Sequence, residues 1–233
     1  MPRCNRYFMP DKIWHITHRC HKRDFLLKFR RNRKRWIHWL FEAKKRYGLC
    51  VLNYCVTSNH IHLLVFDRGK KEIIRSMQLI ESRVAQEYNI YKKREGSFWD
   101  DRYHATIIED GNYLLRCSSY IDFNMVRAGA VNHPSKWKEC GYNEIMADRT
   151  RYRIIDREKL SELLELSDVK ELPEFYNIRT EYILTGIEDN KYEPEWTESI
   201  AVGSEHFTEK VKKTITSQSR DIKILPDGKA ILS

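Results

Sequence analysis

Two histidines one residue apart, His60 and His62, stand in the run Val56-Thr57-Ser58-Asn59-His60-Ile61-His62-Leu63-Leu64-Val65-Phe66. The unbroken β-branched and aliphatic residues predict a strand. Side chains at i and i+2 leave the same face of a strand, so the two imidazoles point together with Ile61 opposite. Such a pair can ligate a metal. It can also be two polar residues on the outer face of a half-buried strand, the commoner case for a bare His-x-His. A third donor and a reactive group elsewhere must decide.

Residues 111–128 supply both. They predict one helix, opened by Asp110 and stopped by Gly129. Leu114, Cys117, Ile121, Met125 and Ala128 form its buried stripe. A second stripe carries Arg116, Tyr120, Asn124 and Arg127, offering a phenol, a carboxamide and two guanidinium groups along one side. A tyrosine hydroxyl can attack a phosphodiester and keep the strand as a phosphotyrosine. With a reference pKa of ~10 it needs help at neutral pH. A divalent metal on His60 and His62 would polarise the phosphate and stabilise the charge that develops on it. The Asn124 carbonyl oxygen would complete the protein donors; its alternative is a helix-end cap.

The elements that must position these residues follow from pattern. Residues 13–20 alternate as a strand, and 30–47 form a basic-tipped amphipathic helix ending at Gly48. Residues 49–56 and 60–66 pair as a hairpin through Thr57-Ser58-Asn59. A helix over 71–91 carries Ile73, Met77, Ile80 and Val84, and 103–108 read as a fourth strand. The order β-α-β-β-α-β predicts an α+β, ferredoxin-like antiparallel sheet, helices on one face and the other open, with the tyrosine-bearing helix added. Residues 1–150 form that domain. Residues 151–233 read as a mostly helical extension, broken at Leu172-Pro173-Glu174 and Glu193-Pro194-Glu195 and ending in a helix over Ser204–Ile215 that offers an accessory DNA contact. In the first strand, His15 and His18 are three apart and face opposite sides, which argues against a metal cluster with His21 and Cys20.

The net charge of +9 is unevenly spread. Residues 1–50 hold 15 Lys/Arg against 3 Asp/Glu, and residues 151–200 hold 7 against 13. A basic front on an acidic body predicts a polyanion-binding surface, nucleic acid being the commonest partner. Arg30, Arg31, Arg33, Lys34 and Arg35 are its densest run and, with Arg102, Arg116 and Arg127, the expected phosphate contacts. Trp14, Phe98 and Tyr103 are candidates to stack on bases. Six cysteines without a C-x-x-C pair fit free thiols in a cytoplasmic protein. No apolar run reaches the ~20 residues of a membrane span, and the first residues lack the apolar core of a secretory signal.

Ser58-Asn59-His60-Ile61-His62-Leu63-Leu64, Phe98-Trp99-Asp100-Asp101-Arg102-Tyr103 and Tyr120-Ile121-Asp122-Phe123-Asn124-Met125-Val126-Arg127-Ala128-Gly129, in that order over roughly residues 10–145, resemble the HUH single-tyrosine transposases, within them the REP-associated tyrosine transposases. The resemblance implies a Mg²⁺ or Mn²⁺ cofactor held by His60, His62 and Asn124, and Tyr120 as nucleophile. It further implies cleavage of single-stranded DNA beside a hairpin, leaving a 5′-phosphotyrosine and a free 3′-OH. One departure is Met125, where the family commonly has proline, so the helix is expected to run straighter through Asn124. Two other readings stay open: a non-catalytic nucleic-acid-binding module of the same fold, and a metal phosphohydrolase that uses water. Whether Tyr120 serves its own histidines or those of a second subunit in a homodimer is also open.

Overall fold

The computed structural model describes residues 9–147, 151–186, 190–215 and 221–233. Its centre is the strand Ile13–Arg19 (β1), flanked by His60–Phe66 (β3) on one side and His104–Ile108 (β4) on the other. Cys50–Val56 (β2) closes that edge, so the order β2-β3-β1-β4 with every neighbour antiparallel is the ferredoxin-like arrangement. The β2–β3 turn is held by Thr57, whose Oγ1 accepts from the amides of Asn59 (3.3 Å) and His60 (3.1 Å) and donates to the His60 carbonyl (2.8 Å).

Arg30–Tyr47 (α1) and Glu72–Lys92 (α2) lie together on one face. Trp36, Leu40 and Ala43 of α1, and Ile73, Met77, Ile80 and Val84 of α2, are buried against strand residues such as Ile16, Ile61 and Leu63. Each large apolar side chain so buried contributes roughly 1.5–3 kcal/mol. Gly48 ends α1 at φ +72°, its amide bonded to the Lys44 carbonyl, a conformation that a side chain would strain.

The other face is not open as expected. Asn112–Asp122 (α3) packs on β2 and β4 through Leu114, Cys117 and Ile121. Asn53 on β2 donates to Asp122 Oδ1 (3.0 Å) and Ser118 Oγ (2.8 Å), and Ser118 meets the Tyr176 hydroxyl at 2.8 Å. The reason lies in β2, all seven residues of which are buried: both its sides need cover. The helix expected over 111–128 is interrupted at Phe123 (φ −81°, ψ 1°), and Asn124–Arg127 (α4) follows as a separate turn despite the missing proline. Its start also differs, Gly111 rather than Asp110 being the cap residue.

The chain after residue 140 adds Tyr142–Met146 (α5), Arg157–Leu163 (α6), Leu172–Leu184 (α7), Glu195–Glu198 (α8) and Glu205–Thr214 (α9). Pro173, read as a break, sits in the first turn of α7, where a proline lacks no needed donor. The extension is less helical than its sequence implies. Ala201–Gly203 (β5) pairs parallel with β4, and Ile222–Ile224 (β6) and Ala230–Leu232 (β7) continue the sheet to seven strands, making it mixed. Close approach explains Gly203: a Cβ there would stand 2.5 Å from Phe207 Cδ1 and 2.7 Å from Glu109 Oε2. Lys229, 2% exposed, ion-pairs with Glu193, Glu195 and Asp227 and so ties residues 193–196 to the β6–β7 hairpin. Among the described residues no helix is long and apolar enough to cross a membrane.

Burial raises the Asp122 carboxyl to about 8, against a smaller lowering from its Asn53 bond. The folded state therefore keeps this proton up to about pH 8, while the unfolded chain loses it near the ordinary carboxylate value of 3.8. Between those values the unfolded state binds fewer protons, so this group lowers stability as pH rises, on the order of 1 kcal/mol per pH unit. Urea unfolding of the wild type and Asp122→Asn from about pH 5 to about pH 9 should show the variant gaining stability relative to wild type as pH rises. A constant difference across that range would contradict the assignment.

Candidate active site

The β1–β3 register sets Thr17 opposite His62 and Arg19 opposite His60, so His15, Thr17, Arg19, His60 and His62 share one face. His60 Nε2 and His62 Nε2 converge to 3.1 Å. Where their protons sit follows from the partners. The Trp196 carbonyl can only accept, so His15 Nδ1, 2.7 Å away, carries the hydrogen. A neutral His15 then has its lone pair on Nε2, which accepts from His62 Nδ1 at 2.9 Å. That leaves the His62 lone pair on Nε2. Asn59 Oδ1, 2.8 Å from His60 Nδ1, fixes His60 in the same tautomer. Burial holds all three imidazoles neutral: it lowers His15 and His60 to about 4 and His62 well below its ordinary value, with neighbouring histidines and Arg19 or Arg127 as smaller causes.

Two neutral imidazoles thus aim lone pairs at one point. Such a pair repels unless a cation lies between, and a divalent metal ion fits that donor set. The Asn124 carboxamide is 3.0 Å from His62 Nε2, donating there through Nδ2; turned by half a revolution it offers Oδ1 as a third donor. Among the described residues no three His, Cys, Asp or Glu gather as a metal cluster; the Asn124 carboxamide is the group that stands beside the pair.

Tyr120 lies in the last turn of α3. Its ring centroid is 5.9 Å from that of His62 and 6.4 Å from that of His15, both edge-on. Burial pushes its phenol above the usual range, and the Arg127 guanidinium, 4.1 Å over the ring, works against that shift. Arg127 also donates to the Tyr120 carbonyl (2.5 Å) and to Asn190 Oδ1 (3.0 Å). Together these groups line a cleft of about 510 Å³ whose further walls include Arg19, Arg23, Asn59, Tyr192 and Thr197.

The structure brings His60, His62, Tyr120, Asn124 and Arg127 into this cleft, and Arg102 into a neighbouring depression with Arg19 and Thr197. It takes the other arginines elsewhere. Arg116 pairs with Asp227 at 2.6 Å. Arg30 and Arg33 share Glu139 (2.7 and 3.2 Å), and Arg33, 8% exposed, also donates to the Leu27 and Lys28 carbonyls. Arg35 binds Glu87 through two bonds. Arg31 and Lys34 remain exposed. Trp14, Phe98 and Tyr103 are core residues with no face for a base. His18 does lie opposite His15, stacked on Trp99 at 4.3 Å and 3.4 Å from Glu81. The sequence reading missed His15, Arg19 and Arg23. Residue parity with Thr17 would have put His15 and Arg19 on the site face once the β1–β3 register was known; Asn190, Tyr192 and Thr197 carry no such signal.

Residues 10–124 match the family described as Transposase IS200 like. That segment, just under half of the chain, is similar to the IS200-like transposases. It ends at Asn124, so His60, His62, Tyr120 and the carboxamide all fall within the family segment, whereas Arg127 and the 190–197 wall lie beyond it. No curated protein sequence matches the chain. Among solved structures it is similar in fold to the REP-associated tyrosine transposase bound to a REP hairpin, with a TM-score of 0.54 and 18% identity, over 64% of this chain and 87% of that one.

His15 is the residue that orients His62 in this cleft. Replacing it by phenylalanine keeps the volume and removes the acceptor for His62 Nδ1–H. Mn²⁺ titration followed by electron paramagnetic resonance should show affinity roughly 10–100-fold weaker in His15→Phe. Unchanged affinity in a variant that melts like wild type would remove His15 from the site.

Proposed function

We propose that this chain cuts and rejoins single-stranded DNA beside hairpins, with Tyr120 as nucleophile and Mg²⁺ or Mn²⁺ on His60, His62 and Asn124. The observation that carries the reading is the placing of a phenol 5.9 Å, ring to ring, from one of two imidazoles whose lone pairs converge. The IS200-like family and the fold shared with a hairpin-bound transposase support the substrate class.

In this mechanism Arg19, Arg23 and Arg127 draw a phosphodiester into the cleft. His60, His62 and Asn124 would hold a divalent cation, which would supply Lewis acidity against the charge that builds on the phosphoryl oxygens. His15 and Asn59 hold the two imidazoles in the tautomers that ligation requires. The Tyr120 oxygen attacks phosphorus as the P–O3′ bond breaks. The phenol proton ends on the departing 3′ oxygen, so the products are a 5′-phosphotyrosine and a 3′-OH with no redox change. Attack of another 3′-OH on that phosphotyrosine reverses the step and joins two strands. Arg127, stacked on the ring, favours the phenolate against desolvation. Tyr120 acts with the histidines of its own chain. Asn190, Tyr192 and Thr197 make the extension an accessory wall for the DNA.

One observation favours the non-catalytic module instead: Tyr120 is only 5% exposed. Incubation with Mn²⁺ and a labelled single-stranded hairpin oligonucleotide separates the readings. An SDS-stable protein–DNA adduct is expected, lost in Tyr120→Phe and lowered by roughly 10³-fold or more in His60→Ala. Cleavage that survives Tyr120→Phe would mean hydrolysis by water, and binding without cleavage would mean a module.

A further inference from the structure

Where α1 begins and α2 ends, aromatic rings stand in solvent. Phe25 is 64% exposed, Phe29 60% and Tyr91 52%. Single exposed rings need no explanation, but Phe29 and Tyr91 share one cation, and Phe25 lies four residues before Phe29. Lys92 Nζ lies 5.4 Å from the Phe29 centroid and 5.2 Å from that of Tyr91, so one ammonium joins the two rings. The Arg31 guanidinium sits over Tyr91 at 4.0 Å.

The charge around them differs from that of the rest of α1. Arg30, Arg33 and Arg35 are matched by Glu139 and Glu87. Among the described residues no carboxylate lies within ion-pair distance of Lys28, Arg31, Lys34, Lys92 or Lys93. The chain also leads from the cleft to the patch. Arg23 lines the cleft, its carbonyl accepts from Asn59 Nδ2 (3.2 Å), and Phe25 follows two residues later on a loop anchored by the Leu27 amide to the Ser58 carbonyl (2.9 Å).

We propose that this surface carries the single-stranded DNA flanking the cleft, bases stacking on Phe25, Phe29 and Tyr91 and phosphates meeting Lys28, Arg31 and Lys92; the proposal rests on the strand-transfer reading above. Unmatched cations beside exposed rings suit a strand with free bases. A duplex would meet the cations but leave the rings unused, because its bases are already stacked. Stacking platforms of this kind accept any base, so the contact adds affinity and path rather than sequence choice.

Fluorescence anisotropy compares a labelled hairpin bearing a single-stranded flank with the same hairpin cut blunt. The double substitution Phe29→Ala with Tyr91→Ala removes exposed rings only and should melt like wild type. It should weaken binding of the flanked hairpin roughly 10–100-fold, leave the blunt hairpin unchanged, and leave the salt slope as it was. Lys28→Gln with Lys92→Gln should instead reduce the slope of log affinity against log salt by roughly one to two. Wild-type protein that forms the covalent adduct, with full flank affinity in the ring variant, overturns the surface and leaves strand transfer standing. Wild-type protein that forms no adduct but loses flank affinity in the ring variant overturns strand transfer and supports the surface. Failure of wild type to bind either oligonucleotide overturns both.

Discussion

Two imidazole lone pairs meeting at 3.1 Å are the constraint on which the rest depends. The pair is unfavourable by itself, and it is maintained by a directed chain of hydrogen bonds: Trp196 carbonyl, His15, His62. Each link belongs to a different part of the polypeptide. His62 comes from β3, His15 from the central strand β1, and the carbonyl from α8 in the C-terminal extension. Burial makes the chain effective, because it keeps every ring neutral and so keeps the proton positions determined by acceptor geometry alone. The consequence is architectural. The extension is part of the site, and the Lys229 cluster that anchors residues 193–196 positions an imidazole two contacts away.

Much of the fold was legible in the sequence because its elements are long and periodic. The strands at 13–19, 50–56 and 60–66 and the helices at 30–47 and 72–92 each show several turns or alternations of a single pattern, and their order specifies the sheet. His60, His62, Tyr120 and Asn124 come together in one cleft, as strand parity and helix spacing had placed them on defined faces. What escaped was non-local. Three-residue strands such as Ala201–Gly203 hold too few alternations to register, and they exist because β4 offers an unpaired edge. His15 resembled its neighbour His18 in sequence; only the pairing with β3 separates the one beside the site from the one stacked on Trp99. The open face was misjudged because a sheet order says nothing about which later helices return to cover it.

The basic front shows why charge counts overstate binding surfaces. Of the run Arg30–Arg35, two guanidinium groups converge on Glu139 and one on Glu87, and Arg33 satisfies loop carbonyls from within the protein. These residues fix the loop 20–29 against the start of α1. Arg19 and Arg23 stand in the cleft itself, although neither belongs to a charge run that draws the eye. Partner geometry, rather than density, separates structural cations from those left for a polyanion.

Tyr120 completes the electrostatic argument. Its phenol is held un-ionised by burial, while Arg127 seven residues on lies over its ring and opposes that effect. Two neutral histidines add no charge of their own, so the cleft is positive through Arg19, Arg23 and Arg127 before any metal binds. A phosphodiester entering it brings one negative charge, which those cations balance. A divalent ion between His60 and His62 would add two positive charges close to the same phosphate. On the strand-transfer reading, it is the charge of such an ion that would favour an oxyanion at the tyrosine oxygen and at phosphorus. Without it, desolvation dominates and the phenol stays protonated. On that reading, a phenol kept protonated by burial until a cation arrives would be a physical reason for placing a nucleophile where solvent barely reaches it.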